Sequence, residues 1–145
     1  MTASGERSPT ASSPTQLTRW ALVGVELFLA VGAVYGSIGL IAGNAIDIPD
    51  DWLTGTPFGS WVLPGIFLLL VVAAPMTVAA TGEVRRQRWA YAASVLAGAA
   101  QIGWIVAQWV IMQRFFFLQP AMLTAGAVVL LLAIATHKGT SRTHP

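Results

Sequence analysis

Cysteine is absent from the 145 residues. That excludes disulfides, thiolate metal sites, thiol catalysis and dithiol redox chemistry. Histidine occurs only as His137 and His144, at the C-terminal end, and no His/Asp/Glu spacing resembles a metal site. A phosphate-binding P-loop, a G-x-S-x-G nucleophile turn and a dinucleotide fingerprint are all missing. No catalytic residue, metal or cofactor is therefore expected. Charge is scarce too: Asp, Glu, Lys and Arg make up 10% of the chain, against about 25% in an ordinary soluble domain. The few basic residues form no run interleaved with aromatics, so a nucleic-acid surface is not expected.

What the chain does have is long apolar runs. Residues 20–43, 61–81, 89–112 and 116–136 contain one charged side chain among them, Glu26. Each run has 21 to 24 residues, and a helix rising about 1.5 Å per residue needs about 20 to cross a hydrocarbon core. The fold class expected is all-α, a transmembrane four-helix bundle over residues 19–137. Residues 1–18 (MTASGERSPTASSPTQLT) are rich in Ser, Thr and Pro and read as a disordered cytoplasmic tail, with a second cytoplasmic tail at 138–145. The first run is about twice the length of a signal-peptide core, which makes it an uncleaved first span.

The basic residues sort by side. With both termini in the cytoplasm, Arg7, Arg19, Arg85, Arg86, Arg88, Lys138 and Arg142 lie inside, and Arg114 alone lies outside. Seven against one is a strong positive-inside bias. The loop at 44–60 carries Asp47, Asp50 and Asp51 with no Lys or Arg, as an outer loop does. It is expected to fold back with Trp52, Leu53 and Phe58 in the interface, its aspartates solvated rather than paired with Arg114 or holding a cation. Trp20 and Trp89 fall at inner span ends and Trp61 and Trp109 at outer ends, as interfacial belts.

Small residues mark close helix approach. Gly32 and Gly36 form one G-x-x-x-G pair, Gly39 and Gly43 another, and Ala99, Gly103 and Ala107 repeat the spacing in the third span. Packing within the bundle is the first expectation for these stripes; a homodimer face is the alternative. Pro75 falls inside the second span, removes a donor and crowds the Val71 carbonyl, which predicts a kink. Thr77 is placed to satisfy a freed carbonyl.

On a helical wheel Glu26, Ala30, Ala33, Ser37 and Asn44 share one narrow face of the first span, and Ser94, Ala97, Gln101, Ile105 and Gln108 share one on the third. Glu26, Thr77 and Ser94 lie at matching depths, roughly 8–10 Å inside the inner boundary, with Gln101 nearer the midplane. A polar cluster of Glu26, Thr77, Ser94 and Gln101 is expected. A carboxyl there either carries a proton and donates to a neighbour or keeps its charge through water from the cytoplasmic side. Functionally it is a candidate proton carrier or cation ligand; structurally it is a bridge between helices.

Residues 53–70 (LTGTPFGSWVLPGIFLLL), 103–112 (GWIVAQWVIM) and 118–122 (LQPAM) resemble a group of small bacterial four-span integral membrane proteins. The resemblance implies the four-helix layout and a bacterial plasma membrane, and it brings no activity, cofactor or catalytic residue. More loosely, four short spans with one glutamate in the first are similar to the small multidrug-resistance transporters, in which that carboxylate exchanges protons for cationic drugs. The long acidic first outer loop and the strong charge bias depart from that pattern. A likeness to DoxX-type proteins rests on helix count alone. The function expected first is a non-enzymatic interaction or accessory role in the bilayer, with a homodimer or another membrane protein as partner. The alternative is a small proton-coupled transporter using Glu26, and a membrane-embedded enzyme comes third.

Overall fold

The computed structural model describes residues 13–142, and four helices account for most of them. They are α1 (Pro14–Ile41), α2 (Val62–Val84), α3 (Ala90–Met112) and α4 (Leu118–Ser141). All four are long and apolar enough to cross a membrane, and no strand occurs among the described residues. The helices run up, down, up, down. Consecutive helices pack together, α4 closes the ring against α1, and diagonal pairs meet far less.

The outer helices of the sequence are longer than the apolar runs. Ser13 caps α1, its hydroxyl accepting the Gln16 N–H at 3.3 Å, and Pro14 occupies the first turn, where its missing donor is harmless. Residues 14–18, expected in the tail, are therefore helical, and Thr15 packs directly on Gly139 in the last turns of α4. Residues 138–141 belong to that helix as well. The rest of the expected N-terminal tail, with Arg7, and residues 143–145 lie outside the described residues.

Pro75 acts one turn upstream of itself. Residues Leu69–Ala73 form a π-helical turn in the middle of α2, with the Ala74 N–H donating to the Leu69 carbonyl five residues back. The wider turn absorbs the donor that proline lacks and the crowding at Val71. Thr77 Oγ1 donates to the Ala73 carbonyl at 2.8 Å, so it does not satisfy Val71 as expected.

The interior and the surface invert the pattern of a soluble bundle. Outside are Phe28 (72% exposed), Tyr35 (73%), Leu96, Val110 and Leu131. Inside, small residues dominate: Ala30, Ala33, Ala73, Ala79, Ala97 and Ala133 surround Leu22, Leu29, Met76 and Val129. In lipid there is no hydrophobic penalty for the first set, so cohesion comes from close backbone packing and internal hydrogen bonds. A Cβ added at Gly65 would lie 3.1 Å from the Ser37 carbonyl, and one at Gly98 would lie 3.1 Å from the Gly126 carbonyl. These two glycines set the α1–α2 and α3–α4 contacts.

The stripes expected to do this work face elsewhere. Gly32 and Gly103 have no atom within 4 Å of an added Cβ, and Ala99 is exposed. Gly43 lies beyond α1 in a left-handed turn (φ +77°), so only Gly36, against Leu68, and Gly39, against Ile46, approach a neighbour.

At the end away from the termini, the loop after α1 folds back over the bundle through a 3-10 turn at Asp50–Leu53. Trp52 meets Phe116 edge-on at 6.0 Å and Phe58 meets Phe67 at 6.3 Å. Trp61, expected in the interfacial belt, is 5% exposed, and its indole N–H donates to Asp50 Oδ1 at 2.9 Å. Gln119 Oε1 accepts from both the Trp109 indole and the Phe116 N–H, which ties the short α3–α4 link.

At the terminal end α2 stops with paired carbonyl caps: Gln87 N–H donates to the Gly82 carbonyl and Arg86 N–H to the Glu83 carbonyl. Such a close needs a left-handed residue, commonly glycine; here it is Arg86, φ +53°. Arg86→Gly is expected to stabilise the bundle by about 1 kcal/mol, read as a higher unfolding midpoint in mild detergent. A lower midpoint would mean that the arginine side chain contributes more than its backbone strains.

Candidate functional site

The helix ends that carry the termini bring polar groups into the bundle. The first is Glu26, set on the inner face of α1 four residues before Ala30 and seven before Ala33, both of which are buried. It is 0% exposed, and neither carboxylate oxygen has a hydrogen-bond partner. Ser94, also 0% exposed, and Glu83 are its polar neighbours. The Ser94 hydroxyl donates to Glu83 Oε1 over a long 3.4 Å. Ser94 thus faces two carboxyl groups, one from α1 and one from α2.

Glu83 was not among the expected site residues. The apolar run of the second span stops at Thr81, and Glu83 reads as the start of a charged loop. A signal was present nonetheless: Met76, Ala79, Ala80 and Glu83 follow a three-to-four-residue rhythm, and all four are buried. Arg19, one and a half turns into α1, is the cation acting on Glu83.

The four expected residues divide. Glu26 and Ser94 come together. Thr77 is not brought to them: it is exposed on α2 and bonds back to its own helix. Similar depth does not fix direction: Thr77 follows the buried Met76 by about 100° around the helix. Gln101 is buried at 2% exposure, yet it sits two turns along α3 from Ser94, with Ala97 between. Its Nε2 donates to the Met122 carbonyl at 3.4 Å, and Oε1 has no partner.

Outward from the carboxyl pair, a cavity of about 260 Å³ opens at the terminal end. Glu83 lines it and Glu26 does not, so the wall of the cavity is one side of a layered arrangement with Ser94 and Glu26 behind. Toward the other end Leu29, Ala30, Ala33, Val72 and Met76 close the interior. Two carboxyl groups and a hydroxyl are a ligand set for a shared proton or one small cation. Among the described residues, no three His, Asp or Glu side chains converge as a metal site would require.

Fold and site together define a multi-pass membrane protein with a buried carboxyl pair near one membrane face. No family model matches the chain, and no curated protein or solved structure matches it.

Proposed function

We propose that the chain is a non-enzymatic integral membrane protein of a bacterial plasma membrane, with both termini cytoplasmic, that acts by associating with another transmembrane protein, a second copy included. The observation that carries this reading is the outward direction of its small-residue stripes. Gly24 and Gly32 on α1 and Gly103 on α3 would present an added Cβ to open space. Ala99 is exposed beside Leu96, and Val106 and Val110 flank the same face. Small residues set between larger ones make a groove, which lets a partner helix approach closely in lipid, where packing rather than water exclusion drives association. The sidedness rests on the seven-to-one distribution of Lys and Arg.

A photo-reactive side chain at position 99 or 103 tests the association in native membranes. Trapping of a defined protein adduct, absent when the probe is at Leu131 on α4, is expected. Adducts with lipid alone would refute the reading.

A second reading is supported by Glu26. An acidic side chain fully buried in the bundle with both oxygens without a hydrogen-bond partner fills space that an apolar residue would fill at lower cost, and such groups mark proton and ion routes. On that reading the protein is a small proton-coupled transporter, with proton movement that depends on Glu26.

A further inference from the structure

We propose that the 260 Å³ cavity at the terminal end binds the phosphate group of an anionic ligand, whether a phospholipid headgroup or free phosphate. Its walls include Arg19, Glu83, Arg86, Arg88, Tyr91 and His137, drawn from all four helices and the α2–α3 turn. Three arginines and one glutamate line it, so the lining carries a net positive charge. One of the three offsets Glu83, and two positive charges remain for a ligand. Guanidinium forks match phosphate oxygens in pairs, a geometry that a lysine does not supply.

The remaining walls suit the same guest. Tyr91 and His137 stack with ring centres 4.2 Å apart and planes within 19°, so one wall is a flat pair whose edges carry a hydroxyl and imidazole nitrogens, both hydrogen-bonding groups. Arg86, one of the lining residues, holds a left-handed conformation that glycine ordinarily fills; strained backbone positions cluster at ligand sites. Trp20 and Trp89, both exposed at this end, mark the headgroup level, and basic pockets between helices at that level take anionic headgroups. The inference does not depend on the association reading, since the cavity lies within one chain.

Native mass spectrometry of the full chain released from nanodiscs holding equal phosphatidylglycerol and phosphatidylcholine tests it. The parent is expected to retain the anionic lipid about tenfold over the zwitterionic one, and Arg86→Gln/Arg88→Gln to lose that preference by a similar factor. Glutamine leaves the residue 86 backbone a non-glycine, so the turn is comparably strained, and helical circular dichroism checks its fold. Arg114→Gln, at the other end, should behave as the parent. Inorganic phosphate supplies the second arm, read as a thermal shift of the lipid-depleted protein. A shift lost in the double variant, without lipid preference, assigns the site to free phosphate; lipid preference without a shift assigns it to the headgroup. Equal retention of both lipids by the parent together with no phosphate shift would overturn the proposal, and needs no variant to fold.

Discussion

Leucine in place of Gly98 is expected to destabilise the bundle by about 3 kcal/mol, seen as a large drop in the detergent-unfolding midpoint. A Cβ there would already lie 3.0 Å from the Leu130 side chain and 3.1 Å from the Gly126 carbonyl oxygen. The side chain of Leu130 can rotate away, but the carbonyl is part of the α4 backbone and moves only if the helix does. The approach is equally tight one turn further on, where a Cβ on Gly126 would lie 3.0 Å from both Gln101 Cγ and Ile102 Cγ1. Leucine would therefore separate α3 from α4 along two turns and loosen the Gln101–Met122 hydrogen bond that lies beside them. Gly103→Leu is the matched control, five residues along the same helix with nothing within 4 Å. In detergent that keeps the chain monomeric it should leave the midpoint unchanged or raise it by up to about 1 kcal/mol, since glycine is a poor helix former. Equal losses in both would mean that α3 tolerates no bulk anywhere and that the Gly98 approach is not special.

That contrast also explains how far the sequence reached. Span number, span length and the neighbourhood of α3 and α4 follow from apolar runs and from a link of little more than Gln113, Arg114 and Phe115, because length against bilayer thickness is a one-dimensional property. Rotation about each helix axis is different. In a soluble bundle the apolar stripe marks the core, but here Leu96 and Val110 on the lipid side are as apolar as Leu29 and Val129 inside. The periodicity that would orient Ala99 and Gly103 is consequently weak, and they face outward while Gly98, one position away, packs. The polar positions Glu26, Ser37, Ser94 and Gln101 orient their helices correctly, since lipid rejects them, and all four are buried. Thr77 escapes this logic because a threonine hydroxyl can satisfy itself on the preceding turn, which lets it face lipid.

The missing half of the carboxyl pair has a similar cause. Glu83 ends a helix, and a charge at a helix end looks like the loop beyond it; only the buried rhythm from Met76 onward separates the two. The π-helical turn at Leu69–Ala73 shifts the register of α2 relative to an unbroken helix, and Pro75 signals a disturbance without fixing its form. Trp61 shows the same limit of one-dimensional reasoning: it lies at a span boundary, as a belt residue does, yet the folded-back loop supplies Asp50 as its partner and covers it.

Glu26 gives the second large effect, and its sign separates the two roles open to that carboxyl. Methionine has nearly the same volume and no oxygen to satisfy, so Glu26→Met is expected to stabilise the bundle by about 1–3 kcal/mol, the penalty of a buried unpartnered polar group. A helix bridge would behave in the opposite way, because removing it would strand Ser94 and Glu83 and lower the midpoint. Glu26→Gln keeps shape and polarity but cannot exchange a proton. In proteoliposomes the transporter reading expects substrate-coupled proton movement in the parent and none in this variant, with stability near the parent's. Proton movement that survives Glu26→Gln would sink that reading and leave association as the function. Stabilisation by methionine combined with loss of coupling by glutamine would show a carboxyl retained at the expense of stability. Such a residue is explained by the chemistry it performs rather than by the helices it joins.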